Sequence, residues 1–391
     1  MTFPALPSRN VPFGAPNSGS GAPVKRLVLA GGGHAHLAVL DALARAPLRG
    51  VEVTLVTPAS RQAYSGMLPG WIAGHYVRAD LEIDLEPLAR RANVSLLRDS
   101  VGAMDANRRC VALSGGSHLE FDLLSLDVGS EIDIAGLEAL GERLLPLRPL
   151  QNFLVRWPNI LAAARARPQF RIAVVGAGAA GIEVALAVRH AFDREHIDGE
   201  VCLVAPREKF LVGHSPGARR RLAGWARRVG VVLHDGHAVG EREGLLLATG
   251  STIPADCVIA ATGAAPPCWL GVSGLELDPQ GYVAVDSCHR SVSHCHVFAA
   301  GDVSSRESPY FTRSGVHAVR AGPVLAANLA AALSGGRLRA YHPRRRSLYL
   351  LACGPRSAVV SWGNLSFGGK WAWVWKDRID RGFVGRHSVV P

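Results

Sequence analysis

The stretch RIAVVGAGAAGIEVALAVRHAF, residues 171–192, decides the fold. A short apolar run leads into Gly176, Gly178 and Gly181 at the spacing Gly-x-Gly-x-x-Gly, and apolar residues at helical spacing follow. In such a strand–turn–helix setting, Gly176 permits the sharp turn, Gly178 lets the backbone approach a pyrophosphate, and Gly181 lets helix and strand pack closely. The N–H groups at the start of the helix, from Ala179 onwards, then attract a phosphate charge. The stretch therefore predicts a dinucleotide-binding α/β module.

A second stretch of the same kind lies nearer the N-terminus. KRLVLAGGGHAHLAVLDALARA (25–46) also predicts a strand, a glycine turn with Gly31 and Gly33, and a helix, although His36 stands where the third glycine would be. Each stretch is followed by another short apolar strand, VEVTLVTP (51–58) or EVCLVAP (200–206). The repeated order predicts an α/β fold with two Rossmann-like dinucleotide-binding domains.

Neither module has an acidic residue at the end of its second strand. In the first module the second strand ends in Thr57-Pro58. In the second module it ends in Ala205-Pro206, which Arg207 follows. A carboxylate at that position normally accepts hydrogen bonds from the ribose 2′-hydroxyl, whereas a nearby Arg accommodates a 2′-phosphate. The second module therefore slightly favours NADPH over NADH.

Two histidines in the first turn have more than one interpretation. His34 and His36 could form a metal pair or an acid–base pair. We favour a third interpretation, in which His34 lies near a phosphate at the helix start and His36 packs between helix and strand. The residues Cys288, His289, His294, Cys295 and His296 also crowd together. Alternate side chains of a strand point to opposite faces, so these five cannot all converge, and we predict no metal site.

Composition narrows the class of protein. The chain has 391 residues, 48% of them hydrophobic and 19% charged, which excludes a disordered, collagen-like or coiled-coil chain. No run of 18 apolar residues occurs, so we expect no membrane-spanning helix. The 7 cysteines are an odd number without a Cys-x-x-Cys pair, which favours a reducing, cytoplasmic setting.

The charge balance is basic, with 43 Lys and Arg against 32 Asp and Glu. The Arg clusters lie far apart in the sequence, whereas a nucleic-acid-binding protein typically concentrates them on one element. We therefore expect no nucleic-acid partner. The remaining interpretations are a solvated basic surface, anionic cofactors, or the anionic face of a membrane.

Three features together resemble the two-dinucleotide-binding flavoproteins of the pyridine nucleotide-disulfide oxidoreductase superfamily. They are Glu183 two residues after Gly181, the Ala-Thr-Gly strand end at 261–263, and VFAAGD at 297–302. The resemblance covers about 24–333 and implies that FAD is bound by the first module and NAD(P)H by the second. It implies an FAD domain at 24–150 and 264–333 and an NAD(P)H domain at 151–263. Outside it, residues 1–23 are rich in Pro, Gly, Ser and Asn and predict a flexible tail, and the Arg-rich and then aromatic residues 334–391 predict a C-terminal interface or membrane-facing segment.

A narrower resemblance comes from GGGHAH (31–36), YSGMLPGW (64–71) and WKDRIDRGF (375–383). These are similar to a bacterial branch close to the type II NADH dehydrogenases, which includes the flavoprotein domain sometimes fused to selenide, water dikinase. The resemblance implies an FAD-dependent NAD(P)H dehydrogenase that passes electrons to a second, small-molecule acceptor, a quinone or another compound.

The resemblance also assigns residues. Asp302 would bond the ribityl chain of FAD, Gly301 would let the backbone approach it, and the helix starting at Gly315 and Val316 would direct its N-terminal dipole at the flavin. Glu183 would lie near the nicotinamide, and it is the one residue to which we assign a catalytic role. Three residues would lie along the isoalloxazine: Tyr64, Ser65 and Pro69. The other predicted cofactor-binding residues are Gly31, Gly33, His34, Gly176, Gly178, Ala179, Gly181, Arg207 and Gly263.

Departures from the family pattern leave alternatives open. No cysteine precedes Cys110, so a redox cysteine pair in the first module is not expected, and the stretch 315–320 lacks the two glutamines typical of quinone-reducing relatives. Cys353 suggests an alternative resembling the sulfide:quinone reductases. A flavin-binding regulatory protein without turnover is a further alternative.

The aromatic stretch WAWVWK (371–376) also has two interpretations. It could form a membrane-surface element flanked by basic residues, which would place the protein peripherally on the inner face of the plasma membrane. It could equally form a strand that packs its aromatic side chains on the FAD domain or on a second copy in a homodimer.

Overall fold

The computed structural model describes residues 24–308 and 315–388, so the predicted tail at 1–23 lies outside the described residues. The chain divides into two compact units. Of the described residues, the first unit contains 24–62, 84–129, 266–308 and 315–343, and the second contains 63–83, 130–265 and 344–388. The segments 63–83 and 344–388 both belong to the second unit.

The first unit is built on a parallel sheet of five strands. In spatial order the strands are Val297–Ala299, Leu123–Leu126, Lys25–Ala30, Val51–Val56 and Ser95–Leu97. The register runs from Lys25 opposite Val51 and from Leu27 opposite Leu123. Leu27 and Leu29 are buried, as expected for a parallel sheet covered on both faces. The predicted strands of the first module are therefore confirmed.

The remaining elements of the first unit surround this sheet. Three strands pair antiparallel: Val101–Asp105, Cys110–Leu113 and His118–Glu120. Two short strands pair parallel: Val283–Ala284 and Ser304–Ser305. The helices are His34–Arg45, Leu85–Arg91 and Gly315–Ser334, with 3-10 turns at Cys268–Val272 and Gly301–Val303. The short strands Arg61–Ala63 and Glu82–Asp84 lie where the chain passes from one unit to the other.

The helix Gly315–Ser334 is long and apolar enough to cross a membrane, with a mean hydropathy of 1.3 over 18 of its residues, and no other described helix is. The sequence analysis expected no such helix. Within the first unit it packs along the helix His34–Arg45, and a Cβ on Gly322 would lie 2.7 Å from the Cβ of Ala38. This close approach of two helices is typical of a core helix, and 44% of the same 18-residue stretch is buried.

The second unit repeats the plan. Its five-stranded parallel sheet has the order Leu144–Pro146, Cys257–Ala260, Phe170–Val175, Gly199–Val204 and Val231–His234. Three strands form an antiparallel sheet: Ala238–Glu241, Gly244–Leu247 and Thr252–Pro254. Glu131–Ile132 pairs with Ala264–Ala265. The helices are Leu68–Ile72, Arg78–Leu81, Leu150–Ala166, Ala179–Arg194, Pro216–Arg228 and Lys370–His387, with 3-10 turns at Ser65–Met67, Glu138–Arg143 and Arg207–Lys209.

The C-terminal segment of the second unit forms a three-stranded antiparallel sheet and a helix. The strands are Leu348–Ala352, Ala358–Trp362 and Leu365–Gly369. The aromatic stretch is not a strand, as one interpretation required, because it begins the helix Lys370–His387. Ala372 and Trp373 are buried whereas Trp371, Val374 and Trp375 are exposed, so this helix carries apolar residues on both its inner and outer faces.

Candidate cofactor and active site

The glycine turn of the second unit follows the central strand of its sheet. Gly176 has φ +109°, and a Cβ there would lie 2.2 Å from the carbonyl oxygen of Ala261. A Cβ on Gly181 would lie 1.8 Å from the carbonyl oxygen of Gly176, so no side chain fits between this turn and the helix. Nothing lies within 4 Å of the corresponding point on Gly178. The helix Ala179–Arg194 begins there with no side-chain cap and no acidic residue in its first turn, so this helix start suits a phosphate.

The strand Gly199–Val204 has no acidic residue at its end, but one follows the neighbouring strand of the sheet. Asp235 follows Val231–His234, accepts the backbone N–H of Arg207 at 2.8 Å, and lies 3.3 Å from its Nε. The Arg207 side chain is 86% exposed and available to a ligand. Sequence reasoning missed Asp235, because parallel pairing of these strands was not assigned. Gly263 has φ +159° with open space around it.

The glycine turn of the first unit differs at its third position. His36 is fully buried and lies between helix and sheet, with Nδ1 2.6 Å from the carbonyl oxygen of Gly31 and Nε2 2.8 Å from Ser125 Oγ. A carbonyl oxygen can only accept, so Nδ1–H donates to Gly31 and Nε2 accepts from the serine hydroxyl. Burial lowers the pKa of His36 to about 4. The predicted packing role is therefore confirmed, and the ring is neutral.

A residue that the sequence analysis missed lies beneath the same turn. Asp127 is 3% exposed, and its Oδ2 accepts the backbone N–H groups of Ala35 and His36 at 2.8 and 3.0 Å. Burial, with a further contribution from Asp302, raises the pKa of Asp127 well above its ordinary value. In the sequence, Asp127 is recognisable as a single acidic residue directly after the mainly apolar strand Leu123–Leu126.

Asp302 lies in the short turn that follows the edge strand Val297–Ala299 of the same sheet. Gly301 precedes it with φ +70°, and the charge of Asp302 acts on Asp127. Gly315 and Val316 form the first described residues of the next helix, because residues 309–314 lie outside the described residues. The structure thus places Asp127, Asp302, the turn of Gly31 and Gly33, and the turn at Gly301 around one position.

The predicted isoalloxazine-contacting residues belong to the second unit. Tyr64 precedes the 3-10 turn Ser65–Met67, and its ring centroid lies 4.6 Å from that of Phe383. Its hydroxyl donates to Asp380. Pro69 is buried in the first turn of the helix Leu68–Ile72.

A cluster of ionisable side chains surrounds Tyr64. Lys376 Nζ lies 2.6 Å from Asp380 Oδ2 and donates to the carbonyl oxygen of Gly66 at 2.7 Å. Glu183 Oε1 accepts the backbone N–H of Ala352 at 2.7 Å. Burial raises the pKa of Glu183 to about 7, although the Lys376 ammonium opposes this rise. The structure therefore brings the predicted Tyr64 and Glu183 together with Lys376 and Asp380 of the stretch 375–383.

The cysteines and the histidines at 289–296 are the other residues that could have carried redox or metal chemistry. All 7 cysteines are free, and burial raises the pKa of Cys353 to about 12, so its thiol is not ionised near neutral pH. Within residues 24–308 and 315–388, no group of three or more His, Cys, Asp or Glu is arranged to hold a metal ion.

Two parallel sheets, each with a glycine turn at a helix start, define the class of two-dinucleotide-binding α/β proteins. A family comparison makes this specific: residues 25–322 match the family described as pyridine nucleotide-disulphide oxidoreductase, and the chain belongs to that family. The protein is an NAD(P)H-dependent oxidoreductase whose cofactors are FAD and NAD(P)H.

The individual relatives share low sequence identity with this chain. A probable ferredoxin reductase, CtmF, of Castellaniella defragrans is 24% identical over 73% of this chain and 69% of its own length. An NADH dehydrogenase-like protein, YutJ, of Bacillus subtilis is 22% identical over 72% of this chain and 77% of its own length.

Two solved structures share the fold. The sulfide:quinone oxidoreductase of Aquifex aeolicus superposes with a TM-score of 0.77 at 17% identity, over 94% of this chain and 93% of its own. NDH2 of Plasmodium falciparum, solved with NADH, superposes with a TM-score of 0.77 at 11% identity, over 92% and 97%.

Proposed function

We propose that the first unit binds FAD at the turn containing Gly31 and Gly33, and that the second unit binds NAD(P)H at the turn containing Gly176 and Gly178. When bound, the flavin supplies the redox chemistry, accepting hydride from the nicotinamide and returning electrons to a second acceptor. The observation that carries the proposal is that both units present a helix start directly after a strand and a glycine turn, with a glycine at the N-cap.

The side chains around each turn fit these assignments. In the second unit, Gly178 leaves open space for a close approach, and Arg207 is exposed at the strand end where a 2′-phosphate would bind. In the first unit, Asp302 follows the edge strand, and its carboxylate would accept hydrogen bonds from hydroxyl groups of the ribityl chain. Gly301 beside it has the positive φ that such a turn requires.

Glu183 would lie near the nicotinamide and control the local charge. A carboxyl with a pKa of about 7 changes its charge within the working range of most enzymes. Glu183 lies on the helix Ala179–Arg194, and the hydrogen bond from the Ala352 N–H holds its carboxyl in place. Its charge, when ionised, therefore has a fixed position. Hydride transfer between two bound rings requires no side-chain nucleophile, and positioning with electrostatics supplies the protein's part.

The second acceptor in this proposal is a small molecule, a quinone or another compound. The buried Cys353, with its raised pKa, argues against a sulfide-oxidising thiolate at that position. One relative is a probable ferredoxin reductase and another is an NADH dehydrogenase-like protein, so a panel of acceptors is the direct test of the acceptor class.

We also propose that the C-terminal segment contacts an anionic membrane. Seven large apolar side chains there are each 39% to 63% exposed: Trp362, Leu365, Phe367, Trp371, Val374, Trp375 and Ile379. Exposed basic side chains accompany them at Lys370, Arg378 and Arg346. Aromatic side chains beside Lys and Arg suit the interface of an anionic lipid layer. The proposed location is accordingly the cytoplasm, with peripheral contact on the inner face of the plasma membrane.

An anaerobic reduction experiment tests the central proposal. The purified protein with bound FAD should lose its absorbance near 450 nm, roughly where oxidised flavins absorb, when NADH or NADPH is added without oxygen. Absence of bleaching by either nucleotide would leave a flavin-binding protein without turnover. Stopped-flow reoxidation with quinone analogues, dyes, oxygen, and sulfur or selenium compounds would then identify the acceptor.

A further inference from the structure

The helix Pro216–Arg228 of the second unit carries its exposed basic residues on one side. It contains five Arg and no acidic residue, and the longer stretch 209–234 also lacks Asp and Glu. Four of the arginines are exposed: Arg220, Arg221, Arg227 and Arg228. The first and third of these are seven residues apart, as are the second and fourth, so the four form two neighbouring rows. We call this side of the helix the arginine face.

No carboxylate neutralises the arginine face within the described residues, where none of its four members forms an ion pair with Asp or Glu. Arg228 instead lies over the Trp225 ring, with 4.1 Å between its guanidinium carbon and the ring centroid. Like charges at neighbouring helical positions repel one another, and an anionic partner would relieve this repulsion. The arginine face is therefore suited to a partner that presents several negative charges.

The start of this helix contacts an exposed hairpin, residues 358–369, in the C-terminal segment of the same unit. The Ser215 hydroxyl donates to the carbonyl oxygen of Leu365 at 3.3 Å. A Cβ on Gly217 would lie 3.1 Å from the Cβ of Ser366, so the helix and the hairpin pack closely. The two elements therefore form one continuous surface.

The arginine rows begin directly beside this contact. The first two arginines follow Gly217 by three and four residues, so they lie one helical turn further along the side that meets the hairpin. On the hairpin, the two neighbours of Ser366 are apolar and exposed, Leu365 at 55% and Phe367 at 39%. Residues 344–376, which include the hairpin, contain no Asp or Glu either. Exposed apolar side chains and arginines without a carboxylate partner are thus adjacent.

We propose that the arginine face binds the phosphate headgroups of an anionic membrane, with the apolar side chains of the hairpin at the boundary of the acyl chains. Arg forms strong charge-assisted hydrogen bonds with phosphate, and a lipid layer has an apolar interior directly beneath its charged surface. An acidic protein would have to supply apolar groups beside its carboxylates, whereas every anionic bilayer presents both. The inference rests on the membrane contact proposed for the C-terminal segment and extends that contact to a helix outside the segment.

The experiment compares two variants that lose the same net charge at different places. The test variant removes three members of the arginine face with Arg220→Gln, Arg221→Gln and Arg227→Gln. The control variant removes three exposed arginines of the first unit with Arg45→Gln, Arg49→Gln and Arg90→Gln. Gln has a helix propensity close to that of Arg, and circular dichroism checks the fold of each variant. Full-length protein with bound FAD is mixed with phosphatidylglycerol vesicles, and cosedimentation gives the bound fraction.

The two variants should differ by more than their common loss of charge explains. An arginine in contact with an anionic surface strengthens binding about fivefold, so the test variant should bind about a hundredfold more weakly than the wild type. The control variant should bind within about threefold of the wild type, because its substitutions lie away from the contact. Flavin reduction by NAD(P)H in solution should be unchanged in both variants.

Hydrogen exchange locates the contact without any substitution. Backbone amides of residues 216–228 and 362–367 should exchange more slowly when phosphatidylglycerol vesicles are added to the wild type, and those of the helix His34–Arg45 should not. Equal vesicle binding by the test and control variants would overturn the inference, as would slower exchange confined to residues 370–387. Absence of vesicle binding by the wild type would show that the membrane contact proposed for the C-terminal segment is itself wrong, and this inference with it.

Discussion

Lys376 and Asp380 form an ion pair one helical turn apart, with 2.6 Å between Nζ and Oδ2 and side chains that are only 9% and 6% exposed. The Tyr64 hydroxyl donates to the same carboxylate, and the ammonium also donates to the carbonyl oxygen of Gly66. The pair therefore joins the C-terminal helix to the segment 63–83 within the second unit. A buried charge held by three partners is costly to leave unpaired.

Removing one partner of this pair should destabilise the protein strongly. We expect Asp380→Asn or Lys376→Met to lower the free energy of unfolding by about 3–5 kcal/mol, because the remaining charge stays buried without its counterion. Arg165→Ala provides the control, since its pair with Glu195 is solvent-exposed and should contribute less than about 1 kcal/mol. Urea unfolding followed by circular dichroism measures both. Equal losses in the free energy of unfolding for the two pairs would show that Lys376 and Asp380 are not buried in solution.

The sequence predicts the two modules well because their signals are local. Strand, turn and helix are contiguous around Gly176, and the roles of Gly176 and Gly181 follow from backbone geometry alone. Asp127 and Asp235 were missed because each acts on a turn that is distant in sequence, through the pairing of parallel strands. The aromatic stretch at 371–376 alternates like a strand, yet its continuation places buried residues such as Trp373 and Lys376 at helical spacing.

Glu183→Gln should stabilise the protein above neutral pH. The folded-state pKa is about 7 against an ordinary value of 4.5, so the wild type loses stability as the pH rises through this interval. The amide can still accept the Ala352 N–H and carries no charge. We expect its melting temperature to exceed that of the wild type at about pH 8, by an amount equivalent to about 1–3 kcal/mol, and to match it near about pH 5.

Thermal unfolding at several pH values measures this effect, with exposed Glu208→Gln as the control. A constant difference across the pH range would indicate a packing effect and contradict the raised pKa. The same variant also tests the proposed catalytic role, since anaerobic flavin reduction by NADPH should lose its dependence on pH near neutrality.

Gly178 and Gly181 should respond differently to the same substitution. Gly178→Val should leave the fold intact because the Cβ enters open space, while it blocks the backbone approach to NAD(P)H. Gly181→Val should impair folding, since its Cβ would lie 1.8 Å from the Gly176 carbonyl oxygen. FAD content, circular dichroism and nucleotide titration separate these outcomes. Loss of FAD together with NAD(P)H in a folded Gly178→Val protein would mean that the two turns have been assigned to the wrong cofactors.

Arg207 should contribute to the choice between the two nicotinamide cofactors. Its side chain is exposed beyond the strand Gly199–Val204, where Asp235 lies 3.3 Å from Nε. We expect Arg207→Ala to raise the KM for NADPH about threefold to tenfold and to change the KM for NADH little, because only NADPH carries the 2′-phosphate. Steady-state reduction of a dye with each nucleotide measures the two constants. Equal changes for both nucleotides would remove Arg207 from the specificity site.

Exposed tryptophans of the C-terminal helix should determine binding to anionic vesicles. Trp371 and Trp375 stack with ring centroids 6.4 Å apart, and Trp371 also lies 5.8 Å from Phe367. We expect the double substitution Trp371→Ser and Trp375→Ser to lower partition into phosphatidylglycerol vesicles at least about tenfold, with flavin reduction by NAD(P)H unchanged. Val155→Ser, an exposed apolar position on another helix of the same unit, is the control.

The same experiment distinguishes the membrane from a second copy of the chain, because the two partners differ in charge. Binding to an anionic lipid surface weakens with added salt and is weak on neutral phosphatidylcholine vesicles. An apolar contact between copies would instead appear without lipid, as a doubled mass in sedimentation that the two serine substitutions reduce to that of one chain. If sedimentation shows this change and vesicle binding is absent, the aromatic face is a homodimer interface and the proposed membrane contact is wrong.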